Sequence, residues 1–229
     1  MPRLARVVIP GVPHHLTQRG VQRRDVFSSD EDRLGYLEYV REAAERFGVT
    51  IWSWCLMSNH VHFVAVPSGE KSFALCFGRA HTQYTRMVNF REGWRGHLWQ
   101  GRFGSSPMDE AYAYQTVRYV LRNPVRAGIV RLPWRYEWSS AAFHVGERKT
   151  DALVKPNDEL DRMIGEWREY LVEPDADGVL CRVRSETSVG RPLGSAEFVQ
   201  KLEEELDRHL TRRPPGRPRK RKTRRRGSQ

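Results

Sequence analysis

Cysteine is scarce in this chain: three residues out of 229, Cys55, Cys76 and Cys181, with no Cys-x-x-Cys spacing and one left over from any pairing. That excludes a disulfide framework and a cysteine zinc site, and the thiols read as buried groups of a reducing cytoplasm. Long apolar runs are missing too. No stretch approaches membrane-spanning length, and Met1-Pro2-Arg3-Leu4-Ala5-Arg6 has no apolar signal region, so a cytoplasmic protein with no membrane partner is expected. Internal repeats are absent. Acids are missing from two places. Residues 1–24 hold five arginines and no acid, and residues 211–229 hold ten Lys or Arg and no acid. The net charge of +11 therefore sits almost wholly in the tail, which leaves about +1 on the rest. Residues 155–210 are the reverse, with 14 acids against 8 bases. A basic N-terminal stretch and a separate basic tail point to a polyanionic partner and a nucleoid-associated protein.

What is present is enough for a core, since 39% of residues are hydrophobic. The chain divides by composition into a main domain over 1–150, a helical extension over 151–210 and a basic tail over 211–229 that is expected to be disordered when free. Within the tail, Gly216-Arg217-Pro218 flanked by bases is similar to an AT-hook, whose arginine lies in an A·T-rich minor groove. A general nucleic-acid-binding or solubilising tail explains the same composition.

The periodicity predicts a strand through Arg6–Ile9 and His15–Thr17, broken by Pro10-Gly11-Val12-Pro13. A helix follows over Asp30–Phe47, capped by Asp30, with Leu34, Leu37, Tyr39 and Val40 at helical spacing. Val49–Met57 and His60–Val66 read as two strands joined tightly at Ser58-Asn59. A second helix runs over Ser72–Val88. Gly96–Phe103 is expected as a strand or ribbon, and Asp109–Asn123 as a helix stopped by Pro124. This β-α-β-β-α-β order predicts an α+β fold. It would be a ferredoxin-like split βαβ antiparallel sheet with helices on one face, followed by C-terminal helices over Asp158–Tyr170 and Ser195–Leu210. The last is capped by Ser195 and buries Phe198, Leu202 and Leu206.

Two features carry chemistry. In an extended strand alternate side chains share a face, so His60 and His62 point one way while Val61 points into the core. Two imidazoles on one face can hold a divalent metal, and they can equally be half-exposed sheet residues. On the helix, Ala113, Val117, Val120 and Leu121 form a sheet-facing side, and Tyr112, Gln115, Thr116, Tyr119 and Asn123 form the other. Asn123 lies one turn beyond Tyr119, so its amide oxygen is a candidate third ligand beside a phenol. It is also placed to end the helix before Pro124. Tyr112 and Tyr114 are rival phenols, and Tyr112 lies three turns from Asn123, too far for one metal site. His14 and His15 read as structural, and His81, His97, His144 and His209 have no evident partners.

His60-Val61-His62 is a histidine-hydrophobic-histidine motif, and Tyr119-Val120-Leu121-Arg122-Asn123-Pro124-Val125-Arg126-Ala127-Gly128 looks like the tyrosine helix of the single-tyrosine transposases that carry it. Pro2-Arg3 to Arg19-Gly20 and Arg191-Pro192-Leu193-Gly194-Ser195 fit best the branch associated with repetitive extragenic palindromic (REP) elements. The resemblance covers about residues 1–145 well and 187–220 loosely. Val21 departs from it, since relatives carry Asn after Arg-Gly, and Asn123 stands where more distant relatives use Gln. The resemblance implies that 1–150 is a catalytic domain and Tyr119 a nucleophile that leaves a 5′-phosphotyrosine link. It implies His60, His62 and Asn123 as ligands of Mg²⁺ or Mn²⁺, and a single-stranded or hairpin DNA partner of REP-like palindromic sequence. A phenol of pKa about 10 is only about 0.1% ionised at pH 7, so a nearby cation helps. Imidazoles alone favour zinc or other late metals.

Arg19 and Arg102 are candidate phosphate contacts, with Trp99 and Phe103 as base-stacking candidates and Arg217 in the tail. Core packing is the competing reading for the two aromatics. The resemblance favours a monomer in which Tyr119 meets its own chain's histidines. The leading expectation is a metal-dependent single-stranded DNA endonuclease and strand transferase. The alternatives are a non-catalytic hairpin-binding protein of the same fold, and an RNA-binding sheet.

Overall fold

The computed structural model describes residues 6–175 and 177–211. Arg217 and the rest of the AT-hook-like tail lie outside the described residues. Strands β1 (His14–Arg19), β2 (Val49–Leu56), β3 (His60–Pro67) and β4 (Gly104–Pro107) form one antiparallel sheet in the order β2-β3-β1-β4. Helices α1 (Asp30–Phe47) and α2 (Ser72–Glu92) make the two crossovers, which is the α+β split βαβ arrangement that the order of elements predicts. No helix among the described residues is long and apolar enough to cross a membrane.

Strand alternation sorts the sheet into two faces. Val61, Phe63 and Ala65 join Leu16 in a core closed by α1 and α2. His60, His62 and Val64 take the other face, where Val64 joins a second core. Helix α3 (Glu110–Leu121) lies on that second face, with α5 (Ala141–His144), α6 (Asp158–Ile164), α7 (Trp167–Val172) and α8 (Asp177–Val189) around it. Leu160, Ile164, Trp167, Leu171 and Val183 of the extension thus share a core with Trp52, Val117 and Leu121.

Several local expectations need correction. Residues 6–9 are not a strand. The β1 edge is taken by β4, and Val7 with Ile9 packs instead on Leu202, Leu206 and Leu210 of the C-terminal segment. Residues 96–103 form a loop with one isolated bridge, Gly20 to Trp99, because Gly96 (φ 104°) and Gly101 (φ 69°) interrupt any ladder; the strand starts one residue later. Helix α1 has the predicted bounds, but Ser29 caps it, accepting from the Asp32 N–H, because the cap needs the extended backbone of Ser29 (φ −147°, ψ 176°). Asp30 is already helical, and Leu34 faces solvent at 59% exposure.

Pro124 does not stop the tyrosine helix outright. Asp109 caps α3 by accepting from the Tyr112 N–H, the helix breaks at Arg122, and a further turn, α4 (Asn123–Arg126), takes Pro124 in its first turn, where a missing N–H is harmless. The predicted helix over 158–170 divides into α6 and α7 at Gly165 (φ 70°). Helix α9 (Ala196–Leu206) is capped by Ser195 as predicted, with Leu202 buried and Phe198 and Leu206 packed at its edge. Cys181 is exposed, whereas Cys55 and Cys76 are buried. Helix α8 has no counterpart in the sequence reading, and it covers the face of α3 that carries Tyr119.

Candidate active site

The site is assembled across three elements of the second face. In the β1–β3 ladder Thr17 stands opposite His62 and Arg19 opposite His60, so His15 is the diagonal neighbour of His62. The His60 and His62 rings meet edge to face, with centroids 4.9 Å apart. Helix α3 lowers Tyr119 onto this pair. Its ring lies 5.6 Å from His62 and 5.7 Å from His15, both T-shaped. Tyr119 is 4% exposed, and its hydroxyl makes no hydrogen bond among the described residues. The Arg126 guanidinium lies 4.2 Å from the centre of the Tyr119 ring, and Arg126 also donates to the Tyr119 carbonyl at 2.6 Å.

Each imidazole is held by its Nδ1. His60 Nδ1 lies 2.6 Å from Asn59 Oδ1, and Asn59 Nδ2 donates to the Arg23 carbonyl at 3.1 Å. That second bond sets the amide orientation, so Asn59 presents oxygen and His60 Nδ1 is the donor. His62 Nδ1 shares a 3.0 Å hydrogen bond with His15 Nε2. Neither Nε2 of the pair has a hydrogen-bond partner among the described residues. Burial lowers His60 to about 4, helped by the charge of Arg19. It lowers His62 well below the ordinary value, with the neighbouring imidazoles and arginines adding to the effect. Both rings are therefore neutral near pH 7, as metal ligation requires.

A cleft of ≈ 410 Å³ opens over this floor, with Tyr119, His62, Arg19, Arg102, Arg6 and Arg184 among its lining. Arg6 stacks on Phe103 at 3.5 Å, and its guanidinium is lowered to about 10 by burial and by the like charge of Arg102. Two cations crowded in one cleft are a local cost that a bound anion would offset. Arg184 of α8 stands 5.9 Å from the centre of the Tyr119 ring.

The sequence-derived candidates divide clearly. Tyr119, His62, Arg19, Arg102 and Phe103 line one cleft, and His60 touches His62. Asn123 does not line it; its Nδ2 is buried and makes no hydrogen bond. Trp99 and Phe103 are core residues, 6% and 9% exposed, and Trp99 lines a second cleft between α2 and residues 96–103. Phe90 and Trp94 are exposed aromatics, at 92% and 57%, and line neither of these two clefts. His15 is no bystander, since it bonds His62, and Arg6, Arg126, Arg184 and Thr187 also escaped the sequence reading. Their signal was weak: isolated residues far apart in sequence, two of them in a segment whose aliphatic residues are few, Val179, Leu180, Val183 and Val189. Among the described residues no group of three or more His, Cys, Asp or Glu is arranged to hold a metal ion.

The fold and this floor define an α+β protein with a histidine–tyrosine cluster at the base of a basic cleft. Residues 10–123 match the family Transposase IS200 like, and through that segment the chain belongs to the IS200-like transposases. Among solved structures, it is similar to a REP-associated tyrosine transposase bound to a REP hairpin. That match has a TM-score of 0.55 and 18% identity, over 69% of this chain and 93% of the other. A second similarity is to a chain from Deinococcus radiodurans R1, named only provisionally as a transposase. It has 18% identity over 52% of this chain and 95% of the other, and its TM-score of 0.37 carries no argument. Comparison with curated proteins finds no match.

Proposed function

We propose that the protein is a metal-dependent endonuclease and strand transferase for single-stranded or hairpin DNA, with Tyr119 as nucleophile. The observation that carries this is the Tyr119 ring 5.6 Å from His62 within one chain, at the floor of a cleft lined by arginines. A tyrosine that packs on its own chain's histidines needs no partner subunit, so a monomer suffices. The structural neighbour's REP hairpin suggests a REP-like palindrome as the partner here.

The donors fit a divalent cation by their chemistry. His60 and His62 offer free Nε2 atoms, and the Nδ2 atom of half-buried Asn123, outside the cleft lining, is buried without a partner; an amide turned about its own axis would put oxygen there. Two nitrogens and one oxygen suit Mn²⁺ or Mg²⁺ with further positions left for oxygen ligands. When bound, the ion would polarise the scissile phosphate and offset charge in the transition state. The rest falls to the chain itself. The Tyr119 hydroxyl attacks phosphorus in line; its O–P bond forms as the P–O3′ bond breaks. The phenolic proton leaves, and the departing 3′ oxygen takes one up, giving a 5′-phosphotyrosine link and a free 3′-hydroxyl. Bond energy is conserved, so the 3′-hydroxyl can reverse the step without ATP. Arg6, Arg19 and Arg102 position the phosphate backbone, and Arg126 and Arg184 hold the phenol ring. Residues 1–150 carry the chemistry, and the basic tail containing Arg217 adds affinity.

The test is a labelled single-stranded hairpin incubated with protein and Mn²⁺, assayed for an SDS-resistant adduct. Wild type forms the adduct; EDTA abolishes it, and Tyr119→Phe lowers it by roughly 1000-fold or more while hairpin binding persists. An adduct that survives Tyr119→Phe moves the nucleophile elsewhere. Tight binding without adduct identifies a hairpin-binding protein that keeps only the fold.

A further inference from the structure

His15 lies on β1, in the middle of the sheet, 47 residues before His62 and 172 before Thr187, yet it bonds both. Its Nε2 is 3.0 Å from His62 Nδ1, and its Nδ1 is 2.8 Å from Thr187 Oγ1. All three side chains are buried, at 1%, 5% and 1% exposure for His15, His62 and Thr187. The two imidazoles stack nearly parallel, 9° between planes, with centroids 5.2 Å apart. Helix α8 reaches this depth because β4 begins with glycine: a Cβ at Gly104 would stand 2.8 Å from the Thr187 carbonyl oxygen.

We propose that Thr187 and His15 form a relay that fixes the tautomer of His62, so that the C-terminal helix α8 is part of the metal centre. The proposal rests on the reading of His62 as a ligand. A chain of hydroxyl, imidazole and imidazole can run in two directions. In one, Thr187 donates to His15, His15 donates to His62 Nδ1, and His62 is left with a proton on Nε2, unable to bind a cation there. In the other, His62 Nδ1–H donates to His15 Nε2, His15 Nδ1–H donates to the Thr187 hydroxyl oxygen, and the His62 Nε2 lone pair is free. Only the second direction permits ligation, and it puts His62 in the state that Asn59 imposes on His60. Both ligands then have Nδ1 tied to an outer partner and Nε2 presented. By linkage, whatever binds at Nε2 selects that direction and stabilises the docking of α8, and the docking of α8 strengthens metal binding by the same factor. His15 and Thr187 are positioning residues; neither need touch the ion.

The experiment uses the full chain labelled with ¹⁵N-histidine, Mg²⁺ for NMR, and Mn²⁺ for affinity by loss of the free-ion EPR signal. With Mg²⁺, the ring nitrogens of both His15 and His62 should report the Nδ1–H tautomer. Thr187→Val should weaken Mn²⁺ binding roughly 10- to 100-fold, the range for loss of an outer partner of a metal-bound histidine. Thr187→Ser should restore it, and hairpin affinity in EDTA should stay unchanged in both. Native-like Mn²⁺ affinity in Thr187→Val, or an Nε2–H tautomer of His62 under Mg²⁺, overturns the relay. The outcomes separate from those of the nuclease itself. An adduct with no relay sinks only the relay. Metal bound through an intact relay, with no adduct on any hairpin, sinks only the nuclease.

Discussion

Lowering the pH from 7.5 to 6 should cost this protein far more stability than loss of surface ion pairs would. Burial is the leading cause that holds His14, His60 and His144 at about 4 and His15 and His81 at about 3. An unfolded histidine titrates near 6.5. The folded values lie below the unfolded ones, so each group adds stability above pH 6.5 that is lost as pH falls through 6.5 towards 4. At pH 6 the unfolded imidazole is about three-quarters protonated and the buried one hardly at all, a difference of about 0.8 kcal/mol per histidine. Five such groups together remove about 4 kcal/mol, and at pH 5 about 10 kcal/mol, comparable to the whole stability of an ordinary domain. His62, displaced in the same direction, adds to the loss. Depressed carboxylates enter later: Glu203, held at about 2 by Thr211, does not begin to titrate until well below pH 6. The assay is urea unfolding in EDTA at pH 7.5, 6.5 and 6, followed by far-UV circular dichroism. His144→Phe, which keeps a ring on Trp167 (now 4.1 Å from the His144 ring), should shed about one fifth of the pH dependence. A loss below about 1 kcal/mol between pH 7.5 and 6 would refute the burial of these histidines in neutral form.

Two further outcomes follow from the cleft and the tail. Removing residues 212–229, which hold ten Lys or Arg, should weaken hairpin binding and flatten its dependence on log salt while sparing adduct formation at saturation. Half of those charges on single-stranded phosphates would lower the slope by roughly 3 to 4; an unchanged slope shows that the tail does not touch DNA. Combined Phe90→Ala and Trp94→Ala should cost about 1–3 kcal/mol of hairpin affinity for each base stacked. Unchanged affinity would show that neither ring stacks on an unpaired base.

The legible parts of the site were those written in a local period. Alternation along His60–Pro67 put the two imidazoles on one face. Helical pitch set Tyr119 opposite the sheet-facing side of its helix, whereas its ring is buried on the sheet histidines, in one cluster with Val117 and Leu121. Asn123 was harder to place, because pitch was extended through Arg122, where the helix breaks. Trp99 and Phe103 could not be assigned from an aromatic and basic interleave, because the same spacing serves a core and a stacking platform, and here it serves the core. Thr116, polar by type and placed on the polar side, is fully buried.

Strand and helix periods, caps, and the order of elements follow from interactions between residues a few positions apart, so the chain alone determined the βαββαβ frame and the shared face of His60 and His62. It determined the charged tail as well, since composition needs no folding. What only the tertiary structure decided is which distant groups complete that face: His15 behind His62, Thr187 behind His15, Arg6 against Phe103 beside Arg102, and Tyr119 lowered onto the pair. These contacts join segments 47 to 172 residues apart, and no local repeat can encode a partner at that separation. They exist because packing α3 and α8 onto one sheet face buries apolar surface, and the polar groups carried in with it must find one another.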